Sequence, residues 1–346
     1  MKASQPLVSV VTPCYNSAPF IAETIESVQA QTYSAIEHIV VDDGSSDESW
    51  EIVARYDSIA AAMRLGENRG GSYARNRGVE RARGEFIMFL DSDDLLAPET
   101  IAALVAAARL QAGCIAYCPW KRLRSDGARW VRTRAEVPLP AGTDHLKSWL
   151  CGSWVPTCSV LWRREAYQVT GGWDEELTWG DDGDLMLRAL VSGVRLIKAE
   201  GGESYYRHHG LGRLSVSSDS GSERKFRSQM RVLEKLEAEL VRQDRLATYA
   251  AAIGVLYYSL VSRALQQGQR ELAGECLRRG EVLAGVRTVS RTAVGRLLVR
   301  LVGIEHKERI AGALARLGVA SPQRRQIQQF HGLRQLDKEP QIGSTE

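Results

Sequence analysis

Three short apolar runs, each ending in a polar turn and alternating with helix-like stretches, constrain this chain more than any other feature. VSVVTPCYN carries the first, Val8 to Val11, stopped by Pro13. EHIVVDDGSSDES carries the second, His38 to Val41, and ends in two aspartates and a turn. EFIMFLDSDD carries the third and again ends in aspartate. A helix is expected over roughly Phe20 to Gln29. Ser46 or Asp47 can cap another, with Trp50, Ile52 and Val53 among its apolar positions. NRGGSYARNRGVERARG reads as a loop and a third helix. Strands that alternate with helices predict right-handed crossovers and a mainly parallel sheet, and such sheets bind ligands at the carboxyl ends of their strands. The loops at Pro13, Asp42 and Asp91 are therefore expected to face one cleft.

Within FLDSDD, Phe89 to Asp94, three carboxylates occupy four positions. Acids this close repel one another, and each raises its neighbour's pKa unless a cation or donor hydrogen bonds hold the charge. Helix capping ahead of Ala97-Pro98-Glu99, with Pro98 at the first helical position, would use one acid and leave the others unexplained. A cleft offering Asp42, Asp43, Asp91 and Asp93 can instead hold a hard divalent cation and the hydrogen-bond donors of a ligand. Oxygen ligands favour magnesium or manganese over zinc.

The 346 residues, 44% hydrophobic and 25% charged, have the profile of a globular protein of more than one domain and exclude a disordered or fibrous chain. The overall charge of +3 conceals an asymmetry: residues 1–220 hold 23 Lys and Arg against 29 Asp and Glu, residues 221–346 hold 22 against 13. The two parts should therefore meet different partners. Six cysteines without a signal peptide fit a reducing, cytoplasmic compartment. Three residues separate Cys114 from Cys118, one too many for a CxxC pair, so both read as buried small hydrophobes. LATYAAAIGVLYYSLVS, Leu246 to Ser262, falls short of a secure membrane span and contains three tyrosines, which favours a buried helix.

VSVVTPCYN, VVDDGSSD, the Gly-rich GENRGGSYARNRG and GEFIMFLDSDD, in this order, resemble the nucleotide-sugar-binding half of a family 2 glycosyltransferase. The resemblance continues through GGWDEELTWGDDGDLMLR, Gly171 to Arg188, and ends around Ser215. It implies the GT-A fold, an α/β, Rossmann-like, mainly parallel sheet with helices on both faces, over residues 1–220. A basic α-helical region, 221–346, would follow. The implied activity is inverting transfer of a sugar from a nucleotide-diphosphate donor, a UDP-sugar being favoured, to a carbohydrate or lipid-linked acceptor in glycan, polysaccharide or glycolipid synthesis.

The same resemblance distributes roles. Pro13 and Tyr15 would border the nucleotide base, and Asp43 would accept a hydrogen bond from its ring N–H. Arg75 would approach the nucleotide, with Asn68 and Gly70 shaping its loop. Asp91, Ser92 and Asp93 match a DxD motif, whose acids bind ribose and, through Mg²⁺ or Mn²⁺, the diphosphate; Asp94 leaves open which acid pairs with Asp93 on the metal. Asp182 is the candidate base, and Asp181 stands where the family has glutamate. Asp184 reads as a cap or solvated acid. Trp173 and Trp179 read equally as sugar-stacking rings or core anchors. In SYYRHHGLGRLS, Arg207, His208 and His209 are candidates to meet the diphosphate, on a segment whose glycines suit a mobile lid.

Beyond Glu223 the chain is rich in Ala, Leu, Arg and Glu, with glycines at 268, 274, 280, 285, 295 and 303 separating stretches of helical length. Four or five helices are expected, with LYYSLVSRALQQGQRELAGECLRRG as a hairpin. Val282 to Ile304 has no acid but carries Arg287, Arg291, Arg296 and Arg300. Contact with an anionic membrane surface and a helical cap or dimerisation element are both compatible with that composition. Few aromatics and no reader motif argue against nucleic acid. A dinucleotide enzyme would show a GxGxxG turn after the first strand, which TPCYNSAP lacks. A catalytically silent sugar-nucleotide-binding or scaffolding protein of the same fold is the alternative.

Overall fold

The computed structural model describes residues 5–125, 130–132, 144–208 and 223–284. The chain divides into two compact units, one formed by residues 1–145 and 154–220, the other by 146–153 and 221–346. In chain order the elements are β1 (Val8–Cys14), α1 (Ile21–Gln29), β2 (Ile36–Asp42), α2 (Ser49–Val53), β3 (Ala61–Arg64), α3 (Gly71–Arg81), β4 (Phe86–Phe89), β5 (Leu95–Leu96) and α4 (Thr100–Ala108). They continue with β6 (Cys114–Tyr117), β7 (Trp120–Ser125), β8 (Trp130–Arg132), α5 (His145–Leu150), β9 (Val160–Arg163), α6 (Arg164–Gln168), α7 (Asp181–Val191), β10 (Arg195–Lys198) and β11 (Ser204–His208).

A seven-stranded sheet of order β10-β6-β9-β4-β1-β2-β3 forms the centre of the first unit. Its pairs are parallel except those made by β9, which runs antiparallel between β4 and β6. Helices cover both faces. Val8, Val10, Phe86 and Met88 pack with Ile101 and Leu104 of α4, while Ile39 and Val41 pack with Ala74 of α3 on the other side. Burial on both faces is why the strands read as continuous apolar runs rather than alternating ones. Pro13 does not stop β1, which runs on to Cys14 alongside β2. β4 pairs with β1 only as far as Val11, so the missing N–H of Pro13 falls where no ladder bond is due. Gly78 lets α3 lie directly on β1, since a Cβ there would come within 2.3 Å of the Val11 side chain.

The polar residues inside the sheet are paired. Ser9 donates to Glu37 at 2.6 Å, and Glu37 also accepts the backbone N–H of Arg83 and of Gly84. Thr12 Oγ1 lies 2.9 Å from His38 Nε2. A smaller sheet, β5-β11-β7-β8, begins at β5, directly after the acidic loop.

The second unit contains α8 (Glu223–Arg242), α9 (Leu246–Gln266) and α10 (Arg270–Ala284). Tyr249, Ile253, Tyr257, Leu260 and Val261 bury the apolar face of α9, and Tyr257 donates to Glu237 of α8 at 2.6 Å. Among the described residues no helix is long and apolar enough to cross a membrane. Gly268, at φ +75, turns the chain between α9 and α10. Gly274 and Gly280 do not separate helices but lie within α10. Gly280 faces Gly254, and a Cβ at Gly254 would approach that of Ala284 to 2.4 Å, so the glycine serves close helix contact. The stretch with Arg287, Arg291, Arg296 and Arg300 lies outside the described residues. All six cysteines are free, with Cys114 and Cys118 buried, and among the described residues no group of three or more His, Cys, Asp or Glu side chains is arranged to hold a metal.

Burial pushes the His38 imidazole down to about 4. The neutral ring is the folded form, so as pH falls the unfolded chain takes up its proton first, near the ordinary histidine value of about 6.5. Stability should fall between that value and about 4. In urea unfolding, His38→Gln is expected to remove about 2 kcal/mol of the acid-induced loss between about pH 7 and about pH 4.5. Parallel pH profiles for the two proteins would contradict this.

Candidate active site

Loops leave the carboxyl ends of β1, β2 and β4 and are tied together by hydrogen bonds. Asn16 N–H donates to Ser45 Oγ at 3.0 Å, Ser17 N–H to Ser49 Oγ at 2.7 Å, and Ser46 N–H to Asn16 Oδ1 at 2.8 Å. The Ser17 and Ser92 hydroxyls meet at 2.7 Å, and Thr24 of α1 donates to the carbonyls of Ser92 and Asp94 at 3.0 Å. The β1 loop is thus pinned to the β2 loop on one side and to the acidic β4 loop on the other.

Asp43, 2% exposed, fixes the next loop by accepting Arg69 N–H at 2.9 Å and Gly70 N–H at 2.7 Å. Burial raises its pKa, opposed by those two donors. Gly44 packs against the same loop, and a Cβ there would come within 2.7 Å of the Glu67 backbone. Gly70, at φ +97, then starts α3. Tyr15, 45% exposed, lies at the mouth of the β1 loop. Pro13 is half-buried and Asn68 exposed. The Arg69 guanidinium covers the Tyr73 ring at 3.8 Å.

From α3, Arg75 reaches two acids that lie far apart in sequence. Its Nη2 donates to Asp91 Oδ1 at 2.6 Å and its Nη1 to Asp181 Oδ2 at 3.1 Å, while Ser72 donates to the same Asp181 oxygen at 2.9 Å. The guanidinium also lies 4.4 Å from the centroid of the Trp173 ring. Burial opposes the cation, but Asp91 and Asp181 outweigh it and raise the Arg75 pKa. Trp173 packs edge-on against Phe89 at 5.0 Å and is 4% exposed, so it anchors the core.

The acids differ in environment. Asp94, 1% exposed, accepts the Arg207 backbone N–H at 2.8 Å. Burial, then Asp93 and Asp91, hold its pKa well above the usual carboxylate range. Asp93 and Asp91 are half-exposed. Asp181, Asp182 and Asp184 occupy the first turn of α7. Asp182 accepts the adjacent Gly183 N–H at 2.8 Å and is open to solvent on one side. Lost hydration and the charge of Asp181 push it up to about 6. Asp184 is not solvated but 1% exposed, held by Arg188 at 2.6 Å.

One expected contributor stands apart. The Arg207 side chain does not reach the acids; it lies over the Phe20 and Trp130 rings, 4.9 Å from each centroid, and pairs with Glu23 at 2.7 Å. Along β11 adjacent side chains point to opposite faces, and it is Tyr206 that faces the acids. Burial and the charges of Asp94, Asp91, Asp93 and Asp182 push the Tyr206 hydroxyl upward. His209 lies outside the described residues, and His208 is exposed. Sequence reading missed Ser72, which shares a helix face with Arg75 at spacing i, i+3 and was legible on that ground. It also missed Ser17 and Thr24, which no local pattern marks.

A mainly parallel sheet with helices on both faces and acids gathered at its strand ends is the architecture of a GT-A fold. Residues 9–169 match the family model "Glycosyl transferase family 2", which marks that stretch of the chain as a family 2 glycosyltransferase domain. It is 32% identical to the Bacillus subtilis glycosyltransferase EpsJ over 216 residues, 59% of this chain and 62% of EpsJ. It is 42% identical to glycosyltransferase GlyG of Streptococcus pneumoniae over 101 residues, 28% of this chain and 34% of GlyG. The matched stretch thus spans less than two thirds of either relative. The crystal structure of Staphylococcus aureus TarS 1-349 in complex with UDP-GlcNAc shares the fold, with a TM-score of 0.65 at 19% identity over 91% of this chain and 93% of TarS.

Removing the shared cation should leave Asp91 and Asp181 without their common partner. Arg75→Met is expected to cost about 2 kcal/mol in urea unfolding, below the range for a fully buried pair because both acids are partly exposed. The same change made in an Asp91→Asn, Asp181→Asn background should cost much less. Equal costs in the two backgrounds would refute the bridging role.

Proposed function

We propose that this chain is an inverting glycosyltransferase that moves a sugar from a nucleotide-diphosphate sugar, a UDP-sugar by preference, to a hydroxyl of a carbohydrate or lipid-linked acceptor. The observation that carries the reading is Asp182, an exposed carboxyl in the first turn of α7 whose neighbour Asp181 is joined through Arg75 to the acidic loop. A carboxylate with a pKa near the working pH is suited to take a proton from an attacking hydroxyl. Asp182 accepts that proton as the acceptor oxygen bonds to the anomeric carbon. The bond from that carbon to the diphosphate oxygen breaks, and the nucleoside diphosphate leaves with the electron pair. Attack from the face opposite the leaving group inverts the centre, giving a β linkage from an α-linked donor.

The β1 and β2 loops support a nucleotide site, with Tyr15 beside Pro13 at its mouth and Asp43 holding the Arg69–Gly70 turn. For a divalent ion the donor set is all oxygen; burial raises Asp94 first, and the charges of Asp93 and Asp91 that add to it are what a cation would relieve. Asp93 and Asp91 would hold Mg²⁺ or Mn²⁺, because Asp94 is buried and directed to the Arg207 amide. The ion would supply Lewis-acid stabilisation of the departing diphosphate.

A panel of nucleotide-sugars with Mn²⁺ or Mg²⁺, followed by release of nucleoside diphosphate and by thermal stabilisation, tests the whole reading; a chain that responds to no donor would refute it. For the base, kcat/KM should fall about tenfold per pH unit below about 6, as Asp182 takes up its proton. Asp182→Asn should still bind donor by calorimetry and transfer none, and loss of donor binding would move Asp182 to the nucleotide site. For the metal, Asp93→Asn should weaken Mn²⁺ binding and lower turnover by about two orders of magnitude or more with nearly unchanged Tm. Wild-type Mn²⁺ affinity in that variant would remove Asp93 from the metal.

A further inference from the structure

Beside the acids lies an aromatic group that the mechanism above does not use. Trp120 opens β7, Tyr206 lies on β11, and Trp154 stands in the segment that leads to β9. The Trp120 and Trp154 rings lie 5.1 Å apart at 37°, and Tyr206 meets them edge-on at 6.3 and 6.5 Å. The Arg122 guanidinium sits 5.6 Å from the Trp120 ring and 6.0 Å from that of Trp154. Trp120 is 1% exposed, whereas Trp154 presents 37% of its surface to solvent. The Trp120 indole N–H is buried and has no hydrogen-bond acceptor among the described residues.

Topology fixes which side of the acids this group occupies. In the order β10-β6-β9-β4-β1-β2-β3, the loops carrying Tyr15 and Asp43 lie on the β1–β2 flank of β4. Trp120 follows β6 and Trp154 precedes β9, both on the other flank. β9 is antiparallel, with Val160 opposite Tyr117, so the segment before it emerges at the same end of the sheet as the acids. Tyr206 closes the gap, since it precedes Arg207 on β11, whose backbone N–H donates to Asp94 of the acidic loop at 2.8 Å. A cavity of about 410 Å³ lined by Leu123, Trp130 and Tyr205 lies on the opposite face of the small sheet and is not part of this arrangement.

We infer that Trp154, backed by Trp120 and Tyr206, is the platform on which a pyranose ring of the acceptor stacks, with its reacting hydroxyl turned toward Asp182. A rigid ring of large area, open on one face and beside charged groups, suits a ligand with one apolar C–H face and a polar rim. The inference rests on the transferase reading and deepens it by assigning the acceptor side. It makes the acceptor a sugar ring rather than a lipid phosphate or a peptide side chain.

The test uses the full chain, the donor found in the panel above, and methyl α- and β-pyranosides of glucose, galactose, mannose and N-acetylglucosamine as acceptor probes. Release of nucleoside diphosphate is followed with and without each glycoside. At least one glycoside should accelerate release in the wild-type protein. Trp154→Ala should reduce kcat/KM for that glycoside roughly tenfold, the worth of one stacking contact, through KM. Its slow hydrolysis of donor alone should be unchanged, and Trp154→Phe should restore most of the loss. A glycoside that works equally well on Trp154→Ala, or no glycoside response while donor hydrolysis proceeds, overturns the platform and leaves the transferase reading standing. Equal loss of donor hydrolysis in a folded Trp154→Ala also overturns it. Absence of donor binding in the wild-type protein overturns both.

Discussion

The arrangement of acids in this protein depends on one buried cation. Asp91 follows the strand at the centre of the sheet and Asp181 begins a helix ninety residues later; Arg75 binds both from a third element. A guanidinium suits the position because it is planar, permanently charged and able to donate in two directions at once. The Trp173 ring packed against Phe89 supplies a rigid wall for it. Without the bridge, the acids in the first turn of α7 would confront those after β4 with only solvent to separate their charges. Ser72 adds a neutral donor to Asp181 from the next turn back, so α3 carries most of this compensation. The seating of α3 on β1 through Gly78 therefore bears on electrostatics as much as on packing.

The strands at the middle of the sheet were legible because burial on both faces leaves an unbroken apolar run, as in Val8–Val11, His38–Val41 and Phe86–Phe89. β3, β5 and β9 were not. Ala61–Arg64 lies at an edge with only half-buried and exposed residues, Leu95–Leu96 is two residues long, and the apolar part of Val160–Arg163 is too short to separate from the helix that follows. Pro13 and Gly280 misled for a shared reason: each breaks an isolated element, yet tertiary surroundings supply what it lacks. The strand beside Pro13 has already departed, and the helix facing Gly280 needs the missing side chain.

In the candidate site, residue types were readable where charge density was anomalous, as in FLDSDD and WGDDGD, and where a turn demanded glycine, as at Gly70. Relations between them were not. That Arg75 faces Asp181 across more than a hundred residues, or that Arg207 and Tyr206 exchange the expected faces of β11, follows from registry between strands and from which side of the small sheet meets α1. The aromatic group shows the same limit, since its three rings come from segments with no pattern in common. Burial raises both Asp94 and Asp182, and the charges of neighbouring acids add to each shift.

The reversed strand β9 has a further consequence. In a wholly parallel sheet every connection must cross a face and return, and each crossover is committed to covering the core. A single antiparallel strand lets the chain leave after β6 and re-enter at β9 at the same rim without crossing a face, although Cys118, Trp120 and Cys158 along the way are buried. Exposed positions there, such as Trp154, can change without moving β1, β2 or the loops they carry. One flank of the rim is thus bound by the crossovers of the sheet, and the other only by the residues it buries.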